Sequence, residues 1–330
     1  MKPDLEALAT QALLPHQAAA PVGSLWPLNQ IVNELHAIRA DWRTAQQRLP
    51  EPGSRELPSR DVLTEITHAL RGALFPLRLG PPDLRPASED FYVGHTLDTA
   101  LNALLAQVKL ELHFAQRNKA EDLSEAIEHK ARGIVREFAI RLPRIRRLLD
   151  SDVEAAYLGD PAARSVDEIL LCYPGIIAII HHRLAHELYQ LGVPLLARIV
   201  AELAHAETGI DIHPGARIGS GFFIDHGTGV VIGETAIIGE RVRLYQAVTL
   251  GAKRFDTDES GALHKGQPRH PIVEDNVVIY AGATILGRIT IGAGSAIGGN
   301  VWLTRSVPAG SVVTQASIRQ ETHEAGGVAV

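Results

Sequence analysis

A single cysteine, Cys172, stands in a chain of 330 residues. One thiol cannot close an internal disulfide and excludes any metal site built from several cysteines. Cys172 lies in an apolar run, so a small buried side chain is predicted there. Aromatic residues make up only 5% of the chain, so aliphatic side chains must fill the core. Neither sign of charge dominates. The 38 acidic and 32 basic residues are interspersed and leave a net charge of −6, which offers no electrostatic footprint for nucleic acid. Long apolar runs are also missing. The longest, near Ile169–Ile180, is too short and too interrupted to span a bilayer. Met1–Leu14 carries one lysine with Asp4 and Glu6, and lacks the basic region and continuous apolar stretch of a signal peptide. Together these absences predict a cytoplasmic protein with no membrane and no nucleic-acid partner.

What the chain does have is a clock. Ile212, Ile218 and Ile224 are followed, after a slip of two, by Ile232, Ile238, Leu244 and Leu250. After a gap come Val273, Ile279, Ile285, Ile291, Ile297 and Leu303, and glycine often follows, as at Gly219, Gly233, Gly239, Gly251, Gly292 and Gly298. A period of six fits neither an amphipathic helix nor an ordinary strand. It is the signature of a hexapeptide β-helix, in which each hexad makes a short strand and a turn, with the aliphatic residue pointing inward.

The fold class read from the sequence is therefore α+β: an N-terminal helical domain followed by a left-handed parallel β-helix. Residues 1–85 read as weak helices joined by breaks at Glu51-Pro52-Gly53-Ser54 and Gly80-Pro81-Pro82-Asp83, forming an accessory helical extension. Residues 86–208 read as a helical domain. Leu97, Leu101, Leu104, Leu105, Val108 and Leu112 form one helical stripe. Leu123, Ile127, Ala131, Ile134, Phe138 and Leu142 form a second, which Pro143 is expected to end. Asp160-Pro161 reads as the N-cap and first residue of a further helix. Residues 209–313 form the β-helix, and 314–330 a flexible C-terminal tail.

The clock breaks twice, and both breaks are polar. The first follows Asp225-His226, at Gly227-Thr228-Gly229. Asp211 lies fifteen residues before His226, a spacing that can place the two near each other on successive coils. A carboxylate beside an imidazole fixes its tautomer and stabilises the imidazolium that forms when it takes a proton. The second break runs from Gly251 to Ile272 and ends in Pro268-Arg269-His270-Pro271. A polar excursion from a solenoid is a loop on one face, often the binding face. Arg269 there can pair bidentately with a carboxylate. His181, His182 and His186 lack a carboxylate or cysteine at matching spacing and read as packing or subunit-contact residues. His213 reads as structural.

Several stretches carry a specific resemblance. Asp211-Ile-His-Pro-Gly, Ile224-Asp-His-Gly-Thr-Gly, Val231-Ile-Gly-Glu-Thr-Ala, Gln246-Ala-Val-Thr-Leu-Gly and Arg269-His-Pro resemble the serine O-acetyltransferase family. Gly159-Asp-Pro-Ala-Ala and Gly175 to Arg183-Leu-Ala-His186 fit that family's helical domain, so the resemblance covers roughly residues 150–313. It implies transfer of acetyl from acetyl-CoA to the hydroxyl of L-serine, giving O-acetylserine for cysteine synthesis by direct attack. It implies His226 as general base and Asp211 as its dyad partner. Asp160 and Asp225 would hold the substrate amine and Arg269 its carboxylate, with His270 completing the pocket. Acetyl-CoA would lie between neighbouring subunits near Gly251, Ala252 and Ala281, with no metal. Family members are homotrimers through the β-helix, commonly paired into hexamers by the helical domain, so the resemblance implies that residues 86–208 serve oligomerisation and form part of the serine site.

The chain departs from the family pattern in three places. Its N-terminal extension is long, and the loop before Arg269 is long with Ala252-Lys253 where glycine-rich sequence is common. Its tail ends in Val330, where family tails often end in an isoleucine that docks into O-acetylserine sulfhydrylase. Three other readings stay open at this level. One is a hexapeptide acyltransferase with a different acceptor. Another is a zinc lyase of the carbonic anhydrase type using His213, His226 and His270. The third is a non-catalytic scaffold.

Overall fold

The computed structural model describes residues 26–46, 57–116, 124–254 and 266–315. The chain forms two compact units, Met1–Ser54 and Arg55–Val330. In the first, one helix is described, α1 (Leu28–Ala45), and it buries none of its residues.

The second unit begins with α2 (Arg60–Leu74), whose N-cap Ser59 accepts a hydrogen bond from the Val62 N–H. Leu63, Ile66, Leu70 and Leu74 fall at helical spacing and are buried. They join the core shared by all later helices. Hence α2 belongs with the body, and the accessory extension expected over residues 1–85 does not extend across it. After α3 (Pro76–Leu79) comes α4 (Glu89–Gln116), which buries Leu104, Val108 and Leu112 of the first predicted stripe. The second stripe lies on α5 (Ser124–Gly159) from Ile127 onward, Leu123 falling outside the described residues, and the helix continues through Pro143. Proline removes one backbone hydrogen bond there, but Leu142, Ile145 and Leu149 are buried on either side and hold the helix together. Then follow α6 (Val166–Cys172), α7 (Pro174–Gln190) and α8 (Pro194–Thr208). Cys172 ends α6 exposed, contrary to the expected burial. Among the described residues no single helix is long and apolar enough to cross a membrane.

From Asp211 the chain winds as the left-handed parallel β-helix that the hexads predict. Three parallel sheets form its sides. The first stacks strands starting at Asp211, Val231, Thr249, Thr284 and Trp302; the second, at Arg217, Ile237, Ile272 and Thr290; the third, at Phe223, Arg243, Val278, Ala296 and Val312. Clock residues stack inside: Ile212, Ile232, Leu250 and Ile285 behind the first sheet, Ile224, Leu244, Ile279 and Ile297 behind the third. A regular coil takes three hexads, as from Val231 to Thr249. The step from Asp211 to Val231 is two residues longer and absorbs the slip. The step from Ile237 to Ile272 is far longer and absorbs the excursion, whose residues 255–265 lie outside the described residues. In both places the stack keeps its register.

A buried ion pair and a close glycine approach are among the contacts that fasten the helices to the coil. Arg183 of α7 makes a bidentate ion pair with the fully buried Asp152 of α5, at 3.1 and 2.9 Å. The same guanidinium donates to the carbonyls of Ile218 and Gly219, and Asp152 accepts the Phe222 N–H. Gly175 opens α7 against the third sheet, where an added Cβ would lie 2.3 Å from the Ile224 oxygen. Removing one member of a buried ion pair strands the other in low dielectric. Arg183→Met should therefore lower the unfolding free energy by about 3–5 kcal/mol. Urea denaturation measures it, and a loss below about 1 kcal/mol would show that this clamp is not structural.

Candidate functional site

Both breaks of the clock flank the first sheet. The corner that leads into that sheet carries Asp225-His226-Gly227-Thr228-Gly229. His226 has φ 59° and Gly227 φ 90°, left-handed conformations that swing the chain around the slip. Gly227 has a second reason to lack a side chain: a Cβ would lie 2.4 Å from Ile210 Cδ1. The His226 side chain is 70% exposed, so its ring stands out from the coil. Asp225 is nearly buried, with one carboxylate oxygen 3.9 Å from His226 Nδ1 and the other 3.9 Å from the Arg243 guanidinium. Arg243 is held in turn by the Gly159 carbonyl and lies over the rings of Phe223 and Tyr245.

Gly159 ends α5, so the next residue, Asp160, is delivered to this corner. Asp160 is not a helix N-cap; Ser165 caps α6 instead. The Asp160 carboxylate accepts hydrogen bonds from the Tyr173 hydroxyl and, at 2.8 Å, from the Ala162 N–H. The Tyr173 bond foremost, and then the Ala162 bond, hold Asp160 below the usual carboxylate range. The phenol gives the complementary response, its pKa pushed up to about 12 chiefly by the same hydrogen bond. Arg243 and His226 lower the Asp160 pKa further, by smaller amounts.

Asp211 begins the first sheet one coil below this turn, and the Gly229 N–H donates to the Gly209 carbonyl to stack the two layers. Among the described residues no hydrogen bond or ion pair joins Asp211 to His226. The Asp211 carboxylate instead lies within 4.8 Å of ligand atoms of Glu202 and His205 near the end of α8.

The corner that leaves the first sheet carries the other predicted residues. Arg269 pairs with Glu234 at 2.7 Å, and Glu234 also accepts the Tyr189 hydroxyl at 3.0 Å. Burial pushes the Glu234 carboxyl up, but the bonds from Arg269 and Tyr189 outweigh it and hold it below its ordinary value. His270 lies flat against Gly233, where a Cβ would be 2.0 Å from its ring. Thr235 fastens the segment: its hydroxyl oxygen accepts the N–H groups of Arg269 and His270, and its own N–H donates to His270 Nδ1 at 3.1 Å. Nδ1 is therefore an acceptor, and neutral His270 carries its proton on Nε2. His213 sits at the same corner with its Nδ1 accepting the Gly215 N–H. Within one chain the trio of His213, His226 and His270 is thus divided between two corners.

The proposed acetyl-CoA contacts are divided in the same way. Gly251 and Ala252 leave the first sheet at the corner of His270, whereas Ala281 stands at the corner of His226, two layers along. One side of the coil, roughly 20 Å of chain, separates the corners. Within one chain the structure unites Asp160, Asp225 and His226, and separately Arg269 and His270. Four supporting residues were given no role by the sequence reading: Tyr173, Arg243, Glu234 and Thr235. Coil arithmetic could have found Thr235, because the excursion brings it beside His270 in the stack.

Burial first, and the neighbouring Arg269 second, lower the His270 pKa from its ordinary 6.5 to about 4. The unfolded chain binds this proton near 6.5 and the native protein near 4, so between those values the unfolded state holds more protons. The contribution of His270 to stability is thus lost as pH falls from 6.5 towards 4. NMR titration should find the His270 ring neutral, with the Nε2–H tautomer, until about pH 4. A midpoint near 6.5 would contradict the buried, Thr235-bound ring.

Comparison with known proteins places this arrangement. The family model for bacterial transferase hexapeptide (six repeats) matches residues 270–305. The chain is 57% identical over 319 residues to the plasmid serine acetyltransferase of Synechococcus elongatus, covering 96% of this chain and 99% of that one. It is 51% identical over 162 residues to the serine acetyltransferase of Mycobacterium tuberculosis, covering 49% and 67%. The crystal structure of Entamoeba histolytica serine acetyltransferase 1 in complex with L-cysteine superimposes with a TM-score of 0.66 at 35% identity, covering 87% of this chain and 100% of that one. With a hexapeptide coil, a helical cap and close identity along nearly its whole length, this chain belongs to the serine acetyltransferase family.

Proposed function

We propose that this protein transfers the acetyl group of acetyl-CoA to the hydroxyl of L-serine, yielding O-acetyl-L-serine and CoA for L-cysteine synthesis. The observation that carries this reading is the leading corner: an exposed imidazole, His226, beside two carboxylates, Asp225 and Asp160. A serine hydroxyl is a poor nucleophile at neutral pH, and a positioned base contributes typically about 10²–10⁴-fold. His226 takes the hydroxyl proton as the oxygen attacks the thioester carbonyl. The tetrahedral intermediate then collapses, the C–S bond breaks, and the proton passes to the leaving CoA sulfur. Asp211 is the proposed dyad partner that orients the imidazole from the coil below, and Asp225 is the carboxylate that stands closest to the ring.

The acceptor is a zwitterion, so its amine calls for anions and its carboxylate for a cation. Asp160 and Asp225 supply the first. Arg269 supplies the second, with neutral His270 donating from Nε2 beside it. Glu234 keeps Arg269 extended but also shares its charge, so the substrate carboxylate competes with Glu234 for the guanidinium. Because the two corners lie one coil side apart, we assign the complete site to the junction between subunits. In a homotrimer, the leading corner of one coil meets the trailing corner of the next, with acetyl-CoA between them along Gly251, Ala252 and Ala281. Pairing of trimers through the helical domain would give the hexamer. The compartment proposed is the cytoplasm. O-acetylserine sulfhydrylase is the proposed partner of the tail, whose residues 316–330 lie outside the described residues.

A thiol-release assay with acetyl-CoA and a panel of hydroxy amino acids tests this reading. L-serine should be the preferred acceptor, and His226→Ala should lower kcat/KM by at least about 10²-fold. Turnover with another acceptor but not serine, or a His226→Ala variant within about twofold of wild type, would overturn it.

A further inference from the structure

Helix α1 follows a different period from the rest of the chain. Leu28, Ile31, Leu35 and Ile38 are separated by three, four and three residues, and Trp42 and Ala45 continue the series. Alternating steps of three and four make the a/d seam of a coiled coil, with a period of 3.5. The four aliphatic residues are 41–62% exposed, although together they are large enough to form a core layer. An isolated helix of this length is marginal in water, so its stability calls for packing along that seam.

The flanking charges say what kind of helix fits. With Leu28 at a, Glu34 falls at g and Arg39 at e of the next heptad. In a parallel, in-register pair, Glu34 of one helix faces Arg39 of the other. An antiparallel pair would instead set Glu34 against Asp41, two like charges. Leucine at a with isoleucine at d also favours three or four strands over two. The sequence of α1 is therefore complementary to itself in one orientation.

We propose that α1 packs with the α1 helices of other copies of this chain in a parallel, in-register bundle of three or four strands. Copies related by a rotation axis that runs along their helices present them in parallel, so closed cyclic symmetry is compatible with this orientation. The bundle is a subunit tether distinct from the coil and does not depend on the reaction proposed above.

Disulfide trapping in the full chain tests it. In a Cys172→Ala background, Leu28→Cys and Ile31→Cys each place one thiol on the seam, whereas Asn33→Cys places it on the opposite face. Mild oxidation of dilute protein should join chains through the seam thiols at least about tenfold faster than through the Asn33→Cys control. Adding Glu34→Arg to Leu28→Cys should slow the joining, and adding Arg39→Glu to that variant should restore it. Seam thiols that join no faster than the control would overturn the proposal and point to docking on the body or on another protein. Joining of Leu28→Cys chains to Ala45→Cys chains, but not to each other, would overturn the parallel orientation.

Discussion

Everything in the coil follows from one packing constraint. Each inward aliphatic residue must sit on the one below it, so the side chains form unbroken stacks such as Ile212, Ile232, Leu250 and Ile285. Each of these residues is almost completely buried, and every strand inside a stack pairs with the strands above and below. A residue added within a strand would turn all later side chains inside out. Extra chain can therefore leave only at a corner. The two places where it does so carry His226 on one side of the first sheet and Arg269-His270 on the other. The scaffold's intolerance of slippage is what concentrates the chemistry.

The helical cap completes the leading corner. Asp160 is a residue of the cap, not of the coil, and its position depends on where α5 ends and α7 begins. The buried Arg183–Asp152 pair ties both helices to the coil's own carbonyls. Gly175 lets α7 approach Ile224 directly. Tyr173, just before α7, then reaches back to hold Asp160. A buried ion pair of this kind adds little net stability over an apolar one. Its use here is positional: it sets a carboxylate of the cap beside an imidazole of the coil.

The coil was legible in the sequence because its period of six is imposed by geometry from coil to coil and fits neither an amphipathic helix nor an ordinary strand. Both breaks were legible for the same reason. The helices were read less well. Pro143 looked like a stop, but buried neighbours on both sides outweigh one lost hydrogen bond. The residues of α2 were assigned to an extension because their partners, on α4 and α8, are distant in sequence. Cys172 looked buried because its neighbours are apolar, yet it falls on the open side of the last turn of α6. Within the site, spacing singled out Asp211, Asp225, His226, Arg269 and His270, but not the residues that hold them. Thr235 and Tyr173 act through hydrogen bonds to segments 35 and 13 residues away, which no local pattern announces. Nor does spacing alone show that the two corners of one chain stay apart.

That separation makes the central claim testable by subunit mixing. His226→Ala removes the base from the leading corner, and Arg269→Ala removes the cation from the trailing corner. If each site is built from two subunits, chains carrying different lesions can meet with both intact corners at one junction. Neither variant alone should release CoA with serine at an appreciable rate. Refolded or co-expressed together in equal amounts, they should recover about a quarter of wild-type activity, the share of junctions left whole by random assembly. Mixed oligomers that show no recovery above the separate variants would contradict a site shared between subunits.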